Sequence, residues 1–495
     1  MPSFVFTIRI YRLNVDSITA TKAFSSPEAR KCLVLYIVGG FMKHLVHQFH
    51  FKDKYLAFDV VSNTLLELDA MGYRVLELYS EDTAIDEIIG IIRGEGFKEP
   101  HEEVHETILD IIKMKEEKSL FNEEIIPDGS LFGDDPIIKA MCLHIAHDCN
   151  LRCKYCFASS GHFGGKRRML DIETGKAAVD FLIQNSKNRK HLEIDFFGGE
   201  PLMNFEVIQM LVDYVKEQAK LNHKIIKLTL TTNGVLLTDN IRDYLNKENI
   251  SLVLSLDGRK EINDNMRYTL DGSSSYDVIV PNLQAAVASR NNDNYYVRGT
   301  YTSKNIDFAA DVKHMRDLGF QYISVEPVVA PEDMRYALTS EHLQQIQQEY
   351  EKLADIYIQS LGTNQEFSFF HFNVDLENGP CVAKRLSGCG AGHHYVAVTP
   401  EGDIYPCHQF VGKEDFLLGN VQSGINRLEI MNQFKETNIY TKPLCRECWA
   451  RFMCAGGCHA NAFGFNQDIN QPYQIACEIT KRRLEAALYI KAQIS

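Results

Sequence analysis

Three cysteines within eight residues constrain this chain more than any other feature: Cys149-Asn150-Leu151-Arg152-Cys153-Lys154-Tyr155-Cys156. The C-x3-C-x2-C spacing is too tight for unstrained disulfides among the three. A turn over this stretch points all three sulfurs into one small volume. A structural zinc ion takes four ligands and would have to borrow one from elsewhere. A four-iron cluster accepts three thiolates and leaves one iron open, where a small molecule can bind and be reduced. An inert electron-transfer cluster is the third reading.

Composition narrows the setting. The 495 residues are 45% hydrophobic and 24% charged, a globular balance. That length carries a prior of about three domains. A net charge of −14 argues against nucleic acid as the principal partner, because phosphate binding needs excess Lys and Arg. No apolar run reaches the ~18 residues of a membrane span. The apolar stretch Cys32–Phe41 is short and no small-residue cleavage site follows it, so a signal peptide is not expected. Thirteen cysteines in metal-type spacings fit a reducing compartment, and the expectation is a cytoplasmic protein.

Residues 1–41 show no period and read as an upstream extension, with Met42 an equally good start. His44–Phe51 and Tyr55–Val61 read as strands about a Lys52-Asp53-Lys54 turn, with a third at Thr64–Leu68. Helical periods follow, one through Ile85, Ile88, Ile89 and Ile92 after a Thr83 cap, another through Val104, Ile108, Ile111 and Ile112. This predicts a small winged-helix-like module over 42–130. His44, His47 and His50 do not share one strand face and are not expected to bind metal.

From about Ile137 the pattern becomes strand then helix, six times over. The strands are Lys139–Ala146, Leu192–Phe197, Ile225–Thr231, Ser251–Leu256, Tyr295–Tyr301 and Tyr322–Glu326, with helices such as Glu173–Gln184 and Phe205–Lys220 between them. Six βα units predict an α/β fold with a parallel sheet, a partial (β/α)6 barrel over 131–340. Chemistry in such folds gathers at the carboxyl ends of strands, where the cysteine triad lies. Cys142, inside the first strand, reads as a core residue. The second strand runs into Gly198-Gly199-Glu200, whose glycines would let backbone approach a ligand and whose carboxylate suits an ammonium. The fourth ends at Ser255, a hydroxyl suited to a ribose, with Arg267 downstream suited to a carboxylate.

Residues 341–380 read as a bridge, helical from Leu343 to Ile358 and then irregular. Beyond it stand Cys381, Cys389, Cys407, Cys445, Cys448, Cys454, Cys458 and Cys477, with a hairpin about Pro400-Glu401-Gly402-Asp403. Zinc knuckles account for a C-x2-C pair, but eight cysteines in one segment favour two further iron–sulfur clusters. His393, His394, His408 and His459 lie nearby and read as supporting residues.

These motifs resemble the radical S-adenosylmethionine (SAM) superfamily at C-x3-C-x2-C with Tyr155, and the SPASM domain over 381–495. The run His144–Ala158 resembles the maturases of SCIFF peptides, cysteine-rich ribosomal peptides that acquire thioether links and are also called ranthipeptides. Val325-Glu326-Pro327-Val328, Pro380–Arg385 and Cys445-Arg446-Glu447-Cys448-Trp449 fit the same family. The resemblance implies SAM and three 4Fe-4S clusters. Cys149, Cys153 and Cys156 would hold the catalytic cluster, with Tyr155, Gly198, Gly199, Glu200, Ser255 and Arg267 about SAM. Cys445, Cys448, Cys454 and Cys477 would hold an outer cluster, and Cys389, Cys407 and Cys458 an inner one. Cys381 would close that inner cluster or leave an iron open to a substrate thiolate.

The resemblance further implies a leader-peptide recognition element at the N-terminus and a reductant such as ferredoxin or flavodoxin. The implied reaction cleaves SAM to a 5′-deoxyadenosyl radical that takes a peptide hydrogen, after which a cysteine sulfur bonds to the α-carbon. Two rivals stand beside it. One is a formylglycine-generating anaerobic sulfatase maturase, which would need a side-chain base. The other is a non-catalytic iron–sulfur electron carrier.

Overall fold

The computed structural model describes residues 9–11, 46–80, 82–122, 124, 137–377 and 382–494. His44, the stretch Cys32–Phe41 and Cys381 lie outside the described residues. The described strands, in chain order, are β1 (Arg9–Tyr11), β2 (Val46–Phe51), β3 (Lys54–Asp59), β4 (Leu65–Leu68), β5 (Ala140–Ala146) and β6 (Leu151–Cys153). There follow β7 (His191–Gly198), β8 (Ile225–Thr232), β9 (Ser251–Ser255), β10 (Arg267–Thr269), β11 (Tyr295–Tyr301) and β12 (Tyr322–Pro327). Last come β13 (Ser368–Phe369), β14 (Tyr395–Val398), β15 (Asp403–Tyr405), β16 (Gly419–Asn420) and β17 (Gly424–Ile425).

Alternation of side chains builds the central sheet. On β7, Leu192, Ile194 and Phe196 are buried in the main core, while Glu193, Asp195 and Phe197 face the other way. Helices cover the apolar side, including Ile172–Asn185, whose N-terminal amide at Thr174 is capped by Asp171 Oδ1 at 2.8 Å. Strands β5, β7, β8, β9, β11 and β12 therefore lie side by side, parallel and in sequence order. The sheet does not stop at six. β13 joins β12 and β14 joins β5, both parallel, and β15 to β17 continue antiparallel as a mixed extension. An open barrel leaves unpaired backbone groups at both edges, and these short strands satisfy them. The bridge segment is thus part of the sheet at β13.

The N-terminal sheet has the order β1-β4-β3-β2, antiparallel throughout. One face, with Ala57 and Leu66, packs on helices Ala70–Ser80, Ile85–Gly94 and His101–Glu116. The other, with Phe49, Phe51, Leu56, Phe58 and Leu65, merges with the main core. There it meets the C-terminal helix Gln474–Ile494: Phe51 stacks on Tyr489 at 4.8 Å between ring centres. His47 Nε2 donates to Glu485 Oε1 at 3.0 Å and its ring stacks on Trp449 at 3.8 Å. His50 lies on the opposite face, beside Tyr55. Two local expectations differ. The helix Ala70–Ser80 is absent from the sequence reading, although Asp69 Oδ1 accepts from Gly72 N at 2.7 Å. The next helix follows Ala84 with no side-chain cap, so Thr83 does not cap it; its amide is drawn back to Leu78 O at 3.3 Å. No described helix is long and apolar enough to cross a membrane.

Candidate active site

β5 ends at Ala146, and the triad loop follows at the carboxyl edge of the sheet. β6 then pairs antiparallel with β10, placing Arg267 opposite Cys153. The three lie close together: Cys153 and Cys156 both raise the pKa of Cys149, and Cys156 raises that of Cys153. Burial first, then the neighbouring Glu200, pushes Cys149 up to about 12. Burial pushes Cys153 up to about 11 against the pull of Arg267. Such thiols ionise when a metal's charge replaces the proton. Among the described residues no group of three or more His, Cys, Asp or Glu is arranged around a single ion. Three thiolates suit a 4Fe-4S cluster, whereas a structural zinc ion takes four ligands.

Gly198 and Gly199 serve a tighter purpose than ligand approach. A Cβ on Gly199 would stand 2.1 Å from Asp148 O, and one on Gly198 2.2 Å from Ala146 O. The end of β7 is pressed against the loop that carries Cys149, with Glu200 N donating to Asp148 O at 2.9 Å. Glu200 is fully buried. Its carboxyl accepts from Leu202 N at 3.1 Å, Thr232 Oγ1 at 2.8 Å and Asn233 N at 2.8 Å. These bonds tie it to the end of β8, and burial pushes it up to about 7.

On the other flank, Tyr155 Oη donates to Asp257 Oδ2 at 2.5 Å, and Arg267 Nη1 donates to Tyr155 Oη at 3.3 Å. Asp257, which the sequence reading did not single out, is fixed by Thr300 N at 3.0 Å. Arg267 Nε and Asn150 Nδ2 are buried beside the triad without a partner. They are donors still to be met by a bound group. Ser255 ends β9 in register with Arg298 of β11.

Below the triad the inward faces of the strands carry charge. Glu326 of β12 accepts from His371 Nε2 at 3.0 Å and lies 3.8 Å from Arg483 and 4.0 Å from Arg298. These cations hold its carboxyl well below the ordinary range despite burial. Asp195 of β7 accepts from Thr231 Oγ1 only at 3.4 Å, and burial pushes it up to about 7. Beside them His144 Nδ1 and His147 Nε2 share a hydrogen bond of 2.9 Å, and burial lowers His147 to about 4. His408 completes this wall against Phe157 and Phe197. Cys142 is fully buried on β5, in the field of Asp195 and Tyr395.

The C-terminal thiols fall into two groups. Cys407 feels Cys458 and Cys389. Cys477 feels Cys454, Cys445 and Cys448. Lys442, 1% exposed, lies between the groups, donating to Gly456 O at 2.8 Å. A buried ammonium there offsets thiolate charge, and nothing in the local sequence singled it out.

Residues 139–279 match a family described as a 4Fe-4S single cluster domain, and residues 389–449 match SPASM, an iron–sulfur cluster-binding domain. The chain is a radical SAM/SPASM enzyme. Over 179 residues it is 32% identical to the radical SAM cyclopropyl synthase TigE of Paramaledivibacter caminithermalis, covering 34% of this chain and 36% of that protein. A cysteine-type anaerobic sulfatase-maturating enzyme of Clostridium novyi is 23% identical over 63% of this chain and 86% of its own. Among solved structures, anSMEcpe with bound AdoMet and Kp18Cys peptide has a TM-score of 0.59 at 20% identity, covering 72% of this chain and 99% of that one. Streptococcus suis SuiB bound to precursor peptide SuiA has a TM-score of 0.50 at 16% identity, covering 85% and 96%.

The residues of this radical SAM/SPASM enzyme suit the cofactors its family implies. The triad, with the unpartnered donors of Arg267 and Asn150 beside it, fits a cluster-bound SAM. The two C-terminal thiol groups fit auxiliary iron–sulfur clusters.

Proposed function

We propose that this enzyme is a peptide maturase that installs thioether links between cysteine sulfurs and α-carbons of a ribosomal precursor. The winged-helix-like module at 42–130 grips the precursor's leader, and the barrel at 131–340 modifies its core. The observation that carries this reading is the N-terminal sheet and its seam against helix Gln474–Ile494. The anSMEcpe structure is matched almost end to end by 72% of this chain, whereas SuiB bound to its precursor peptide is matched by 85% of this chain. The additional share supports a domain for holding a peptide outside the barrel. Antiparallel strands of this kind accept an extended peptide as one more strand.

Bound SAM supplies one-electron hydrogen abstraction at the triad cluster. Tyr155, Asp257 and Arg267 fix one wall of its pocket, and the glycine-tight contact of β7 fixes the other. Cys389, Cys407 and Cys458 hold the inner auxiliary cluster, with Cys381 its fourth ligand or absent from it. Cys445, Cys448, Cys454 and Cys477 hold the outer one.

A second reading is oxidation of a cysteine or serine side chain to formylglycine. Both the sulfatase-maturating relatives and the higher structural score favour it. The test is product analysis. The reconstituted enzyme is given SAM, a reductant and a synthetic cysteine-rich peptide. A thioether leaves the peptide two hydrogens lighter per link, with one thiol closed to alkylation. An aldehyde that traps hydrazines instead establishes the second reading and overturns the first.

A further inference from the structure

One buried cation joins the two auxiliary thiol groups. Gly456 lies midway along the segment from Cys454, in the outer group, to Cys458, in the inner one. That segment turns through the left-handed region, with Ala455 at φ 57°, Gly456 at 85° and Gly457 at 70°. The turn presents Gly456 O to Lys442 Nζ, which donates to it at 2.8 Å. A Cβ on Gly456 would stand 3.6 Å from both Cδ and Nζ of Lys442, so the end of the lysine side chain lies along the turn. Lys442 O accepts from Cys445 N at 3.0 Å, at the start of the short helix Pro443–Arg446. The ammonium is thus held from both sides by chain that carries auxiliary thiols. It has three N–H donors, and among the described residues Gly456 O is its one hydrogen-bond acceptor. Burial lowers its pKa, and Cys445, Cys454, Cys458 and Cys477 raise it against that burial. A fully buried ammonium is costly without a counter-charge, and the groups that supply one here are the thiols of both sites.

We propose that Lys442 is a shared counter-cation of the two auxiliary sites and raises the reduction potential of both clusters together. This rests on the reading that both thiol groups hold iron–sulfur clusters. One-electron reduction adds negative charge to a cluster and no proton. A fixed positive charge nearby stabilises the reduced form more than the oxidised one, and net local charge is among the levers that set such potentials. Burial keeps solvent ions from screening it. Because a single charge stands beside both groups, it moves both potentials in the same direction. The higher potential makes each site a better electron acceptor. The groups acting on Cys149 and Cys153 are instead Glu200, Arg267, Asp257 and Arg152 and their fellow cysteines, so the triad stands apart from this cation.

The test uses the anaerobically reconstituted full chain, with iron and sulfide counted and potentials read by dithionite titration followed by electron paramagnetic resonance. Dithionite is oxidised as each cluster takes one electron. The triad signal is recognised by its change on adding SAM. Lys442→Met is expected to keep its iron and to shift the reduction equilibrium of both auxiliary signals about tenfold toward the oxidised form, about 59 mV for one electron. The triad potential should not move. Lys442→Gln, which keeps a neutral donor, should shift as Met does, and Lys442→Arg, which keeps the charge, should stay near the wild type. Neutral variants with full iron and wild-type potentials overturn the proposal, as does a shift confined to one auxiliary signal. An Arg variant shifted as far as the neutral ones also overturns it, because charge is then not the cause. If Met loses auxiliary iron, Gln carries the comparison; loss from both makes Lys442 an assembly residue and overturns the tuning role. A wild-type protein holding only about four irons, with no auxiliary signal, overturns the cluster reading beneath and the proposal with it.

Discussion

Gly199→Ala is the smallest change that should uncouple the barrel from its triad. The added methyl would meet Asp148 O at 2.1 Å, Asp148 C at 2.5 Å and Gly161 Cα at 2.9 Å, where real side chains keep beyond 3.0 Å. All three obstacles are backbone, so none can rotate away. Asp148 O is held by Glu200 N at 2.9 Å, and Gly161 N donates to Ala158 O at 2.9 Å. Asp148 immediately precedes Cys149, so relief requires moving the triad loop by about 1 Å, an overpacking cost of about 1–3 kcal/mol. A displacement of that size at a reacting centre costs about 100-fold in rate. The assay is anaerobic reconstitution, with iron counted, the reduced cluster's electron paramagnetic resonance recorded with and without SAM, and 5′-deoxyadenosine release timed. Gly90→Ala is the control, because its Cβ meets nothing within 4 Å in an exposed helical position. It should add about 0.5–1 kcal/mol of stability and leave the triad alone. Full iron, an unchanged SAM-induced signal and a wild-type rate in Gly199→Ala would refute the argument from close approach.

Replacing Cys149, Cys153 and Cys156 together with Ala should remove about a third of roughly twelve irons and abolish SAM cleavage, as counted by iron and sulfide assay. Glu124→Gln breaks the pair with Arg451, whose side chains are 7% and 1% exposed, and also weakens the hydrogen bond from Tyr440 Oη. It should cost about 3–5 kcal/mol in denaturant unfolding and loosen iron in the outer group, because Arg451 lies between Cys448 and Cys454. His47→Ala loses the stack on Trp449 and the bond to Glu485, about 2 kcal/mol, and should weaken precursor binding more than uncoupled SAM cleavage. Equal losses in both would make the N-terminal module simple packing.

Much of the barrel was legible because its strands are buried on the helix side and its crossovers are amphipathic. Tyr295–Tyr301 is bounded as read, and Glu173–Gln184 widens by one residue at each end. The triad was legible as a local motif. β13 was not, since two residues carry no period of their own and pair only because β12 presents an edge. The lumen was not either. Asp195, Arg298 and Glu326 read along the chain as ordinary polar positions on alternating strands, and their meaning comes from closure. The bonds from Thr232 and Asn233 to Glu200 were not legible either, because β8 brings those residues in from more than thirty positions away.

The helix Gln474–Ile494 explains why the lumen network could not be assembled from local signals. Its residues Arg482, Glu485 and Tyr489 recur at helical spacing and meet the N-terminal sheet through Phe51 and His47. Arg483, rotated by about 100° from Arg482, turns instead toward the barrel and reaches Glu326 and His371. Cys477, near the start of the same helix, stands with the outer thiol group. One rigid element thus bears on the peptide module, an auxiliary site and the barrel floor. Its contacts to the N-terminal sheet and to Glu326 and His371 join residues more than a hundred positions apart.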